Sequence, residues 1–155
     1  MVNDGFVIQS DQSFGNCPKY IQARSWQWKE PILDNNSSPQ ISKSLSLSEQ
    51  NLIKRSDTFF VASVALHDDD HDTKTSAFGA DISHRGGKPG FMQVINDNTL
   101  MWPDYLGNFL FNTLGNIVKY KKCGLFFLDF ETGDTLQLTG NVSLPKKKLL
   151  KYVFR

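Results

Sequence analysis

Apolar and polar positions change rhythm several times along this chain, and each change predicts an element. Asp57 to Ala65 (DTFFVASVA) is dense in β-formers and reads as a buried strand. Gly90 to Ile95 and Thr99 to Trp102 read as two strands joined across Asn96-Asp97-Asn98, a tight-turn sequence. Cys123 to Phe130 (CGLFFLDF) is a further apolar strand. Thr132-Gly133-Asp134 then turns the chain into Thr135 to Val142, where Leu136 and Leu138 alternate with polar neighbours. Gly5 to Ser10 is a candidate short strand.

Two segments carry helix signals. Ser46-Leu47-Ser48-Glu49 fits a capping box, which predicts a short helix to about Arg55. Leu106, Leu110, Leu114 and Val118 recur every fourth residue, which marks one apolar face of a helix starting near Asn108. Between the elements, Asp34 to Ser44 (DNNSSPQISKS) is polar and proline-broken, and reads as a loop. Short hairpin connections dominate, so the expected sheet is antiparallel and closed into a small barrel. No internal repeat and no Gly-x-Gly-x-x-Gly is present, which disfavours a doubly wound dinucleotide fold.

Composition changes this picture little. At 155 residues, with 39% apolar and 21% charged residues, the chain is long enough for one domain with a real core. A net charge of +1 gives no reason to expect nucleic acid or an anionic membrane as partner. The basic end, Pro145 to Arg155 (PKKKLLKYVFR), reads as a solvated tail or the edge of a strand. No apolar run approaches the roughly 20 residues that span a bilayer. The two cysteines, Cys17 and Cys123, form no disulfide framework, and the expected setting is a reducing cytoplasm. Cys17, in a turn beside Lys19, has no neighbouring histidine or acid to make it a nucleophile. His67 to Thr75 (HDDDHDTKT) gathers metal-type ligands, but its spacing matches neither an EF-hand loop nor a zinc pair, so it reads as a solvated loop.

Chemistry concentrates between Asp81 and Asn116. Arg85 stands beside Gly86-Gly87, and the amide end of a helix near Asn108 follows. A permanently charged planar fork and a helix N-terminus can converge on a dianion. Arg85 has a plainer alternative, a surface pair with Asp81. Gly86, Gly87 and Gly90 are expected to turn the chain with positive φ. Trp102 is read evenly as core or as a flat surface for an aromatic ligand. Asp104 is either a ligand contact or a turn cap, and His84 either an acid–base group or a structural hydrogen-bonding residue.

The runs FGNCPKYIQ, SDTFFVAS, DISHRGGKPGF, WPDYLGNFLFNTLGN and GLFFLDFETGDTLQLTG together resemble the pyridoxamine 5'-phosphate oxidase-related flavoproteins, from about Phe14 to Val142. The resemblance implies a mainly β protein with short helices, a six-stranded antiparallel split barrel, forming a homodimer with FMN at the interface. It divides the chain into an N-terminal extension and polar loop, 1–44, and an FMN-binding barrel, 45–155. It matches Arg85, with Ser83 and His84 beside it, to the phosphate site, and Asn108 and Asn112 to the helix start. Trp102, Pro103 and Asp104 fall at the end of the strand beneath the flavin ring.

Many relatives of this type are longer and carry an additional N-terminal region before the FGNCPKYIQ segment. True oxidases of vitamin B6 end in an Arg-x-His substrate motif that KKKLLKYVFR lacks, so that activity is not expected. The expectation is an FMN-dependent oxidoreductase of unknown substrate using a small-molecule electron donor or acceptor, with a flavin-binding module that does not turn over as the alternative. A heme-binding split barrel is disfavoured by only three histidines, two of them in the acidic loop. A partial barrel without a ligand, its basic tail serving another partner, is the remaining reading.

Overall fold

The capping box at Ser46 closes in the computed structural model of the chain, which describes residues 7–10, 13, 15, 18–28, 38–66, 79–107, 109–144 and 151–154. The Glu49 N–H donates to Ser46 Oγ at 3.3 Å, and the Ser46 N–H donates to the Glu49 carboxylate at 2.6 Å. Helix α1 therefore runs Leu47–Arg55 and buries Leu52 and Ile53 against the barrel. Its entry is pinned by the Leu45 N–H, which donates to the Asp97 carbonyl at 2.7 Å.

Seven strands follow: β1 (Thr58–Ala65), β2 (Gly79–Gly86), β3 (Gln93–Asn96), β4 (Thr99–Pro103), β5 (Lys122–Leu128), β6 (Thr135–Ser143) and β7 (Lys151–Phe154), with helix α2 (Asn112–Lys119) between β4 and β5. All neighbours pair antiparallel, in the order β2-β1-β5-β6-β7-β4-β3. Strand β6 joins the two halves, since residues 135–141 pair with β5 and residues 142–143 with β7. Both halves face one core. Phe59 of β1 lies 5.3 Å from Phe127 of β5 and meets Trp102 of β4 edge-on at 5.5 Å.

The mainly β, antiparallel split-barrel expectation holds, with three differences. Among the described residues there are seven strands rather than six, because the basic end supplies β7, whose Phe154 is buried in the core. Residues 7–10 form no strand; Gly5 and Phe6 lie outside the described residues. Helix α2 starts at Asn112 and not near Asn108, because Phe109 and Phe111 adopt left-handed backbone (φ 62° and 55°) that a right-handed helix cannot pass through. The buried face of α2 is accordingly Thr113 and Ile117, with Leu114 packed beside them, while Leu106, Leu110 and Val118 are exposed.

The turn after β5 carries a titratable anchor. Buried Asp129 accepts the Glu131 N–H at 2.9 Å, the Arg55 guanidinium and the Thr132 N–H at 3.4 Å. The Glu131 bond first, then Arg55, lower its pKa from 3.8 to about 2. A depressed carboxylate stabilises the fold fully above its ordinary pKa and loses that contribution as pH falls toward the folded value. The wild-type chain should therefore lose more stability than Asp129→Asn between pH 4 and pH 2, about the window the two values bound. Urea midpoints that fall in parallel for both proteins would contradict this.

Candidate functional site

Strand β2 has period two, so Asp81, Ser83 and Arg85 share one face while Ile82 and His84 share the other. Helix α2 packs on the first face. Thr113 Oγ1 donates to the buried Asp81 carboxylate at 2.8 Å and lies 3.0 Å from Ser83 Oγ. A carboxylate only accepts and a hydroxyl has one proton, so Thr113 spends its proton on Asp81. Ser83 must then donate to Thr113, and its remaining lone pairs make it an acceptor. One turn along, Asn116 Nδ2 donates to the buried Ser63 Oγ at 3.2 Å.

At the end of this polar seam lies a cavity of about 180 Å³. Its walls are residues 83–86 of β2, Phe91, the 103–107 segment from the end of β4, residues 109–114 through the start of α2, and Lys19 with Tyr20. Arg85 is half-buried, and its Nε is enclosed with no hydrogen-bond partner. Among the described residues it enters no ion pair; Asp81 is engaged by Thr113 instead. Across the cavity, helix α2 begins at left-handed Phe111 with no side-chain cap. The first-turn N–H groups have no intrahelical acceptor and carry the positive end of the helix dipole. Tyr20, Phe109 and Phe111, the non-glycine residues with positive φ among the described residues, all line this cavity. Such conformations cost on the order of 1–3 kcal/mol each and concentrate at functional sites.

Of the residues read from the sequence, Ser83, His84, Arg85, Pro103, Asp104 and Asn112 meet at this cavity. Asn108 lies outside the described residues. Trp102 does not line the cavity. Alternation along β4 turns it inward with Leu100, it is 1% exposed, and it packs on Phe59 as core. The glycines also need correcting. Gly90 has positive φ (86°), but Gly86 and Gly87 do not. Gly86 is needed because the Tyr20 carbonyl oxygen sits 1.9 Å from where a Cβ would be, and Gly87 because the Phe91 ring sits at 2.7 Å.

Lys19 and Tyr20 were missed, although both stand inside the FGNCPKYIQ run, because nothing local shows which strand that segment reaches. Cys17, the His67 to Thr75 run and residues 145–150 lie outside the described residues. Among the described residues, no group of three or more His, Cys, Asp or Glu could hold a metal, and no helix is long and apolar enough to cross a membrane. Burial pushes the Cys123 thiol up to about 12, which leaves it inert as a nucleophile.

No family model matches this sequence, and no curated protein does. Solved structures do match the fold. A candidate pyridoxamine 5'-phosphate oxidase from Lactobacillus delbrueckii is 12% identical, with a TM-score of 0.52 over 74% of this chain and 91% of its own. HupZ from Group A Streptococcus is 12% identical, with a TM-score of 0.50 over 72% of this chain and 88% of its own. A histidine-to-alanine variant of HupZ is 13% identical, with the same TM-score of 0.50 over 71% and 92%. The topology and these matches together give the chain the split-barrel fold that these structures share.

Proposed function

We propose that this protein is an FMN-binding flavoprotein of the pyridoxamine 5'-phosphate oxidase-related type, acting as a homodimer and as an oxidoreductase. The observation that carries the reading is Arg85, which lines a cavity shared with the uncapped start of α2 and whose enclosed Nε has no hydrogen-bond partner. A buried donor without a partner is costly, and a bound phosphate oxygen would satisfy it. The residues present fit the group. Arg85 and the first turn of α2 would hold the phosphate, and Ser83, an acceptor by its bond to Thr113, would take a ribityl hydroxyl. Leu106, Phe109, Leu110 and Phe111, all exposed, offer apolar cover at the mouth of the cavity and would exclude water from the ring. FMN, when bound, supplies the electron-transfer chemistry itself.

Size and surface support the dimer. A cavity of about 180 Å³ is small beside the ~300–1,000 Å³ of pockets that bury an organic ligand, so one chain offers a partial site. Next to it, the outer face of the sheet is apolar. Register sets Ile82 beside Ala62 and Gly124, and His84 beside Phe60 and Phe126. Ile82 is 62% exposed, and Phe60 and Phe126 are half-buried, 6.1 Å apart. A second copy covering this face would complete the site.

The test is an absorbance scan of the purified chain after FMN is added and the excess removed. Retained flavin bands are expected, on a species that sediments as a dimer. A colourless protein would refute the reading. Bleaching of the retained bands by a reduced nicotinamide would separate an oxidoreductase from a module that only holds flavin.

A further inference from the structure

We infer that Lys19 and Tyr20 form a built wall of the binding site that selects phosphorylated over unphosphorylated ligands, with Lys19 as the second cation and Tyr20 as its seat. This rests on the phosphate reading of Arg85. Residue 20 makes three contacts, and the residue before it a fourth. Its backbone is left-handed, with φ 65°. Its carbonyl oxygen fills the space that the missing side chain of Gly86 leaves on β2. Its hydroxyl donates to the Leu106 carbonyl at 3.1 Å, and its ring lies 5.1 Å from that of Tyr105. The preceding carbonyl, of Lys19, lies 3.2 Å from His84 Nε2. A carbonyl only accepts, so His84 carries its proton on Nε2 and donates.

The wall therefore bridges β2 and the 105–107 segment across the cavity, and no stretch of its own regular structure holds it there. What it brings is charge. Lys19 lines the same cavity as Arg85 and is exposed, with an ammonium that can swing toward an anion. Arg85 offers a fixed fork and Lys19 a mobile point charge, and the combination suits a dianionic phosphomonoester more than a neutral alcohol.

The experiment compares FMN with riboflavin, which differ only at the phosphate, by quenching of flavin fluorescence on the full chain. Lys19→Met should lower the preference for FMN about threefold to fivefold, as loss of one solvent-exposed charge pair would. Gly86→Ala, which places a methyl where the Tyr20 carbonyl sits, should lower it similarly while leaving Lys19 intact. Arg85→Ala serves as the reference. If Arg85→Ala lowers the preference and Lys19→Met does not, the inference fails and the phosphate reading stands. If Gly86→Ala alone keeps the wild-type preference, the seat is wrong. If Arg85→Ala also changes nothing, the phosphate reading itself is overturned.

Discussion

Replacing Arg85 with alanine is expected to weaken FMN binding by about 2 kcal/mol, roughly thirtyfold, without lowering the stability of the ligand-free protein. The two halves of this prediction have one cause. Arg85 Nε is enclosed and has no hydrogen-bond partner, so in the absence of ligand it contributes a desolvated donor and no bond. Removing it deletes that cost, whereas with ligand present it deletes a charge-assisted contact. Ordinary polar residues behave oppositely, because their bonds exist in the free protein. Arg85→Lys should recover only part of the affinity, since a point charge does not reproduce the planar fork. Calorimetric titration with FMN and urea unfolding of the free protein read the two halves separately. Unchanged affinity would remove the phosphate assignment, and a large loss of stability would mean that Arg85 is a structural residue.

Trp102→Ala is expected to destabilise the fold by about 3–5 kcal/mol, a cost typical of deleting a large buried aromatic side chain. Trp102 sits where the two halves of the barrel meet, with Phe59 edge-on at 5.5 Å and Phe127 stacked on Phe59 behind it. The cavity left by alanine would open between the sheets, and neighbours from both halves would lose contact at once. Trp102→Phe should cost less, because the ring contact with Phe59 is partly kept. Urea unfolding followed by circular dichroism measures both. A loss below about 1 kcal/mol for Trp102→Ala would contradict its place in the core. A flavin platform would give the reverse signature, lost affinity in a stable protein.

These two residues show how far the linear chain could be read. Arg85 was legible as a candidate because its chemistry and its glycine neighbours are local, and the structure places it at one cavity with Ser83, His84, Pro103, Asp104 and Asn112. Trp102 was not, since a tryptophan at a strand end reads alike whether its face turns inward or outward. The register that settles this comes from β7 pairing through Trp102 and Tyr152, on a segment that read as a solvated tail or the edge of a strand. The α2 face failed for a different reason. Leu106, Leu110, Leu114 and Val118 keep a helical spacing, but left-handed Phe109 and Phe111 break the helix between them. Polar Thr113 takes the inward position because Asp81 and Ser83 wait beneath it.

What the sequence determined by itself is local: the capping box at Ser46, the apolar strands around Phe59 and Phe127, and the turn at Asp97-Asn98. Each depends on residues a few positions apart, where backbone geometry alone decides which side chains meet. The tertiary structure decided the rest. Tyr20 reaches Leu106 across 86 positions and fits against Gly86 only because β2 lies at the edge of the sheet, with no strand pairing along its outer side among the described residues. Contacts of that kind depend on the order in which strands assemble, and that order is set by burying one shared core rather than by any pattern along the chain.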